Sequence, residues 1–140
     1  MSKQKKKIDG NTLLSRDDFK TACFERDNHT CIFCSKPCID AHHIIERKLF
    51  DDGGYYLNNA ASVCEEHHME CEKTLISVEE VYKAANITDP KRPEYFERGL
   101  IYDKWGNIVI SDVKRIPGLL FEDTAVQKIF KTMGTIWMFY

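Results

Sequence analysis

The cysteines and histidines of this chain are concentrated in residues 23–71, and their spacing predicts a bound metal ion. All six cysteines and all five histidines fall in this stretch. Cys31 and Cys34 are separated by two residues in a predicted tight turn, which presents two thiolates to one ion, and zinc takes four ligands in a tetrahedron. Cys64 and His67, on one face of a predicted helix, supply a second pair. The sequence therefore predicts structural zinc held by these four residues.

The fourth ligand of this zinc site is open from the sequence alone. Cys64, His67 and Cys71 form one stripe on the predicted helix, so that Cys71 could replace His67. We favour His67, because its three-residue spacing from Cys64 lets both ligands converge without distorting the helix. Cys38 follows the turn and could also compete. For Cys23, Cys38 and Cys71 the simpler expectation is burial as small apolar side chains.

Two further histidine positions predict a second metal site. His42 and His43 are adjacent, and neighbouring residues of a strand point to opposite sides, so one can bind a metal while the other has a task such as activating water. His68 lies about 100° round the helix from its neighbour and therefore off the zinc stripe. His42 and His68 could meet at a divalent cation. Asp40 and Glu72 are candidate further ligands or orienting partners.

The order of these motifs resembles that of HNH endonucleases, the ββα-metal or His-Me finger nucleases. The resemblance rests on CIFC, DAHHII and GGYYLNNAASVCEEHH. It implies that His42 and His68 hold a catalytic divalent cation, Mg²⁺ or another. It also implies that His43 is the general base and that Asn59 ties the loop that orients this base. The family more often has cysteine where this chain has His67.

The predicted fold class is α+β, with a ββα-metal core framed by a zinc knuckle, flanking helices, and a C-terminal hairpin plus helix. Residues 1–14 are expected to form a flexible basic arm. Residues 15–76 are expected to form the nuclease core with its structural zinc. Residues 77–140 are expected to form a helical and hairpin extension packed on that core.

Local signals place the boundaries of these elements. Gly106 and Asn107 predict the turn of the hairpin. The apolar tail TIWMFY is expected to pack on the core or to contact a second copy or a protein partner. Gly134 predicts the end of the last helix. Capping signals predict helices that begin near Ser15, Ser62, Ser77 and Thr124.

Composition and charge restrict the class of protein. With 43% hydrophobic and 30% charged residues, the chain is expected to be globular rather than disordered. No apolar run is long enough to span a membrane and no secretion signal is apparent, so a cytoplasmic location is expected. Net charge is −2, which argues against a simple electrostatic coat for nucleic acid. In residues 31–80 the acidic side chains outnumber the basic ones, and this excess is either a solvated face or a set of anionic ligands neutralised by bound cations.

The function implied by the resemblance is metal-dependent hydrolysis of phosphodiester bonds in nucleic acid, with DNA favoured over RNA. Arg47 and Lys48 follow the predicted base and could hold flanking phosphates. The lysines at positions 3, 5, 6 and 7 could add nonspecific phosphate contacts. Two alternatives remain, an RNA-directed nuclease and a zinc-stabilised module that binds nucleic acid or protein without cutting. The combination of His42, His43 and His68 favours the enzyme, because the module needs only the zinc ligands.

Overall fold

The computed structural model describes residues 9–140, which form four α-helices and two two-stranded antiparallel sheets. The α+β class is therefore confirmed. The helices are α1 (Arg16–Arg26), α2 (Glu65–Glu72), α3 (Val78–Ala84) and α4 (Thr124–Met133). The strands are β1 (Asp40–His43), β2 (Ala60–Val63), β3 (Ile108–Ser111) and β4 (Lys114–Ile116).

The basic arm predicted for residues 1–14 lies largely outside the described residues, including all four of its lysines. The described part is tied to the loop that precedes β2. The Leu14 amide donates to the Tyr55 carbonyl at 2.9 Å, and the Asn58 amide donates to the Gly10 carbonyl at 2.9 Å. Residues 10–14 are thus part of the folded structure.

Three predicted helix boundaries are confirmed. The Ser15 hydroxyl accepts a hydrogen bond from the Asp18 amide at the start of α1. Ser77 and Glu80 form a reciprocal capping box at the start of α3. Gly134 ends α4 with a φ of 71°, a left-handed conformation that glycine adopts without steric cost.

The predicted capping role of Ser62 is wrong, because this residue lies inside β2. Ser62 pairs with Ala41 of β1, and its buried hydroxyl donates to the Cys23 carbonyl at 3.1 Å. Its amide donates to Asp27 Oδ2 at 3.1 Å. These tertiary hydrogen bonds replace the local cap, and the residue that precedes α2 is Cys64.

The start of α4 lies one residue earlier than the sequence predicts. Asp123 is the capping residue, and its Oδ1 accepts from the Ala125 amide at 2.9 Å and the Val126 amide at 3.4 Å. A carboxylate interacts favourably with the positive N-terminal end of a helix, which a hydroxyl does less strongly. Thr124 is consequently the first helical residue and not the cap.

The predicted hairpin turn at residues 106–107 is also present. Tyr102 and Ile108 form an antiparallel bridge, and the Asp103 amide donates to the Asn107 carbonyl at 2.9 Å across the turn. The chain then continues through β3 into β4, with Ile108 opposite Ile116. A C-terminal hairpin is therefore present, but it is formed by β3 and β4 and turns at residues 112–113, whereas the predicted turn at residues 106–107 is flanked by a single antiparallel bridge.

The sheet formed by β1 and β2 carries the paired histidines. His42 lies opposite Ala61, and His43 lies opposite Ala60. The two strands are joined by residues 44–59, and α2 follows β2 almost directly. This order places the C-terminal end of β1 beside a long loop and one face of β1 beside α2.

The apolar tail packs back on the protein, as predicted. Phe139 is buried against Phe121 and Phe130, with ring centroids 4.5 Å and 5.0 Å away. Trp137 and Tyr140 of the same tail are exposed, and a contact with a second copy or a partner remains a prediction. Within residues 9–140, no helix has the length and apolar character needed to cross a membrane.

Candidate metal centres and active-site cleft

The four side chains predicted to bind zinc lie together. His67 Nδ1 is 3.4 Å from Cys31 Sγ and 3.2 Å from Cys64 Sγ, and Cys34 Sγ is 3.8 Å from Cys64 Sγ. A zinc tetrahedron with Zn–S of about 2.3 Å and Zn–N of about 2.0 Å has edges of roughly 3.5–3.8 Å. The spacing of the donor atoms is close to these edges, so the cluster could hold a metal such as zinc.

Each half of this cluster is positioned by its own local structure. The turn that carries Cys31 and Cys34 is closed by a hydrogen bond of 2.9 Å from the Cys31 amide to the Lys36 carbonyl. Cys64 is the residue before the first turn of α2, and His67 lies within that turn.

The structure brings His67, and not Cys71, into the cluster. Cys71 is buried in the apolar core, where burial raises the pKa of its thiol to about 12. Burial also raises the pKa of Cys23 to about 12. Cys38 lies outside the cluster and is half-buried. Cys23 and Cys71 are thus the predicted buried side chains, and Cys38 is buried only in part.

The second predicted group is also assembled, from one strand and one helix. Asp40, His42 and His68 each offer a ligand atom, and these atoms lie within 4.8 Å of one another. His68 Nε2 is 3.4 Å from Asp40 Oδ2 and 3.0 Å from Glu72 Oε1. Glu72 therefore contacts His68 directly and can orient it or join it as a ligand.

The electrostatics of this second group suit a divalent cation. The hydrogen bond that the Glu72 carboxylate accepts from His68 raises the pKa of His68, and the charge of Asp40 acts in the same direction. The same negative charge would also stabilise a metal cation that binds the neutral imidazole in place of the proton. Burial holds the pKa of His42 well below its usual range, which keeps this ring in the neutral form that metals bind. Imidazole and carboxylate ligands fit Mg²⁺, Mn²⁺, Ni²⁺ and Zn²⁺ alike.

His43 has a different environment from its neighbour. Its ring stacks on Phe19 of α1 at 4.6 Å and meets the edge of Tyr55 at 5.0 Å. Its Nε2 is buried and has no hydrogen-bond partner within residues 9–140. Burial, reinforced by the charges of Lys104 and Arg47, lowers the pKa of His43 to about 4. The ring is therefore neutral at pH 7, the form that can accept a proton.

Asn59 ties the loop beside His43. Its side chain is fully buried and makes three hydrogen bonds. Oδ1 accepts from the Ile45 amide at 2.8 Å, and Nδ2 donates to the carbonyls of Ile45 at 3.1 Å and Gly54 at 3.2 Å. The amide group thus joins both ends of the long loop that connects β1 to β2.

Asn59→Ala should lower the free energy of unfolding by about 3 kcal/mol or more. It leaves one buried amide and two buried carbonyls without partners, and each such group costs about 1–3 kcal/mol. Urea denaturation monitored by circular dichroism measures this loss. Asn58→Ala is the matched control and should cost less, because Asn58 is only half-buried and water can replace its hydrogen bonds. Equal losses in the two variants would contradict this prediction.

The second metal group and His43 line one cleft of about 560 Å³. Of the two predicted phosphate contacts, Arg47 lines this cleft. Lys48 does not, and its ammonium instead pairs with Asp123 at 3.5 Å. Two basic residues of α1, Arg16 and Lys20, also line the cleft, and the sequence analysis did not predict them. Their spacing of four residues, which places them on one helix face, was a usable signal.

The third cleft residue that the sequence analysis did not predict is Lys104, which is buried in the wall of the cleft. Its Nζ donates to the His43 carbonyl at 2.6 Å. The two residues are 61 positions apart, and no local pattern in the sequence connects them.

Comparison with known proteins found no matching family model, no matching curated protein and no matching solved structure. The fold and the site define a small α+β protein with a cysteine/histidine cluster that could bind zinc.

Proposed function

We propose that this protein is a metal-dependent endonuclease of the HNH type, which hydrolyses phosphodiester bonds in nucleic acid and prefers DNA. One observation carries this proposal. His43, whose buried Nε2 has no hydrogen-bond partner within residues 9–140, and the group of Asp40, His42 and His68 line the same cleft. Structural zinc alone would not require this second group.

The order of the elements around the cleft supports a His-Me finger core. β1 carries His42 and His43, β2 pairs with it in antiparallel fashion, and α2 carries His68. The cysteine/histidine cluster joins the turn before β1 to the start of α2. This link would hold the strand that carries His42 against the helix that carries His68.

The side chains of the cleft match the requirements of phosphodiester hydrolysis. The attacking water must lose a proton, and negative charge must be stabilised on the phosphate and the leaving oxygen. His43 is neutral and can accept the proton at Nε2, while Phe19 and Tyr55 restrict the orientation of its ring. Asp40 and the two metal-binding histidines would hold a divalent cation, which supplies the charge stabilisation when bound.

The basic residues at the rim of the cleft supply contacts for the substrate. Arg16 and Lys20 of α1 are exposed along one wall, and Arg47 is exposed near His43. Cations that face a cleft can bind the phosphates on either side of the scissile one, and such binding weakens as salt increases. These contacts read the phosphate backbone and give no preference for a base sequence.

Cleavage of supercoiled plasmid should require a divalent cation, and His68→Ala should slow it on the order of 10²-fold or more. The reason is that charge stabilisation by a bound cation is worth several kcal/mol in the transition state. Excess Mn²⁺ should restore part of this loss by mass action. Gel assays with Mg²⁺, Mn²⁺, Ni²⁺ and Zn²⁺ on plasmid and on RNA of the same sequence measure both effects.

The matched control is His29→Asn, which changes an exposed histidine outside the cleft. Asparagine suits the φ of 57° at this position. This variant should cleave like the wild type. Absence of cleavage by folded, zinc-loaded wild type with every cation would exclude the enzyme and favour the binding module. Faster cleavage of RNA than of plasmid would reverse the proposed substrate preference.

A further inference from the structure

Lys104 is a charged residue in a place where lysine is rarely found. Its exposed fraction is 3%, although lysine is almost never fully buried unless it is paired. Its Nζ donates to the His43 carbonyl at 2.6 Å and lies 3.7 Å from Glu46 Oε2. It also lies 5.1 Å from the centre of the Trp105 ring. Removing an ammonium from water is costly, and these three partners offset that cost.

The turn that carries Lys104 is held rigidly by Asp103. This buried carboxylate accepts from the amides of Trp105 and Asn107, and from the side chains of Asn107 and Arg115, at 2.9–3.0 Å. All residues of the segment 102–107 are buried. The Lys104 side chain therefore extends from a buried turn, which limits where its ammonium can lie.

Two hydrogen bonds fix this turn to the elements that build the cleft. The Glu46 amide donates to the Lys104 carbonyl at 3.0 Å, which joins the turn to the loop after β1. Trp105 Nε1 donates to the Glu72 carbonyl at 2.8 Å, which joins it to the end of α2. The C-terminal region thus contacts both elements on which the candidate catalytic side chains lie.

The peptide group after His43 is held at both of its polar atoms. Its carbonyl accepts from Lys104 Nζ, and its amide, that of Ile44, donates to the Asn59 carbonyl at 2.9 Å. We propose that Lys104 is a positioning residue, which fixes the backbone of His43 from the side opposite Asn59 and thereby sets the orientation of the imidazole in the cleft. This inference rests on the function proposed above.

A direct role of Lys104 in binding substrate fits the geometry less well. Only 4% of its side chain is exposed, and its ammonium is already engaged by a carbonyl and a carboxylate. Arg47, by contrast, is exposed at the rim of the same cleft and is free to reach a phosphate of the substrate. Loss of Lys104 is therefore expected to affect turnover more than the binding of substrate.

Steady-state kinetics of plasmid cleavage by the full chain test this role. Lys104→Met should lower kcat on the order of 10–100-fold and leave KM within about twofold, as is typical when a partner that orients an active-site group is lost. Lys104→Arg keeps a donor and a positive charge and should retain more activity than Lys104→Met. The control is Lys114→Met, an exposed lysine of β4, which should behave like the wild type. Unchanged kcat, or a raised KM with unchanged kcat, would overturn the inference.

A readout independent of cleavage separates this inference from the proposed function. In ¹³C- and ¹⁵N-labelled zinc-loaded protein at one pH, Lys104→Met should shift the His43 carbonyl and imidazole signals, and Lys114→Met should not. If the wild type does not cleave but these signals shift, the proposed function fails and the positioning of His43 stands. Unshifted signals would overturn the positioning role. If Lys104→Met does not fold, hydrogen exchange of the Lys104 ammonium in the wild type replaces this test. Slow exchange is expected for an ammonium held by the His43 carbonyl, and fast exchange would overturn the role.

Discussion

Cys64→Ser should leave the protein unfolded or aggregated at 25 °C. The residue contributes one of four donor atoms whose spacing is close to the edges of a zinc tetrahedron. Binding of structural zinc is coupled to folding with apparent free energies on the order of 10 kcal/mol, which is comparable to the whole stability of a typical domain. Circular dichroism, together with elemental analysis for one zinc per chain, measures this result.

Cys38, which follows the turn that carries Cys31 and Cys34, provides the control for this experiment. Cys38→Ser changes a half-buried thiol outside the cluster, and we expect it to keep the fold and the zinc. Cys31→Ser should fail in the same way as Cys64→Ser. A metal-free wild type that stays folded in strong chelator, with an unchanged melting curve, would show that zinc is not structural.

His43→Ala should reduce cleavage by about 10²–10⁴-fold, the usual cost of removing a general base. The substitution removes the only proton acceptor assigned to the attacking water, and it leaves Asp40, His42 and His68 in place. Cation binding by these three residues should therefore persist, as calorimetry with Mn²⁺ can measure. The zinc content should also be unchanged, because His43 is not part of the cysteine/histidine cluster.

Comparison with His68→Ala separates a lost base from a lost metal ligand. Excess Mn²⁺ should partly restore His68→Ala and should not restore His43→Ala. Since Phe19 stacks on the His43 ring, His43→Gln serves as a bulkier variant and melting curves check the fold of both. Cleavage at the wild-type rate by a folded His43→Ala protein would remove His43 from the mechanism.

Each half of the cysteine/histidine cluster could be predicted because its two ligands occur in a short pattern with defined local geometry. Two cysteines separated by two residues in a turn must lie close together, and so must Cys64 and His67 on one helix face. The capping residues Ser15 and Ser77 were predictable for the same reason, because each hydrogen bond of a cap spans only three residues. In each of these pairs the partner is a near neighbour in the chain, whereas the meeting of the two halves of each metal group is a contact between distant segments.

The sequence by itself determined the ligand types, the α+β class and most helix boundaries, because these depend on contacts within a few residues. Only the tertiary structure decided that Ser62 belongs to a strand, since the hydrogen bonds that Cys23 and Asp27 offer it come from the distant α1 region. It also brought Lys104 to the carbonyl of His43, a pairing of residues 61 positions apart. Which distant partner competes successfully for a polar group depends on how the elements pack, and spacing along the chain carries no information about that competition.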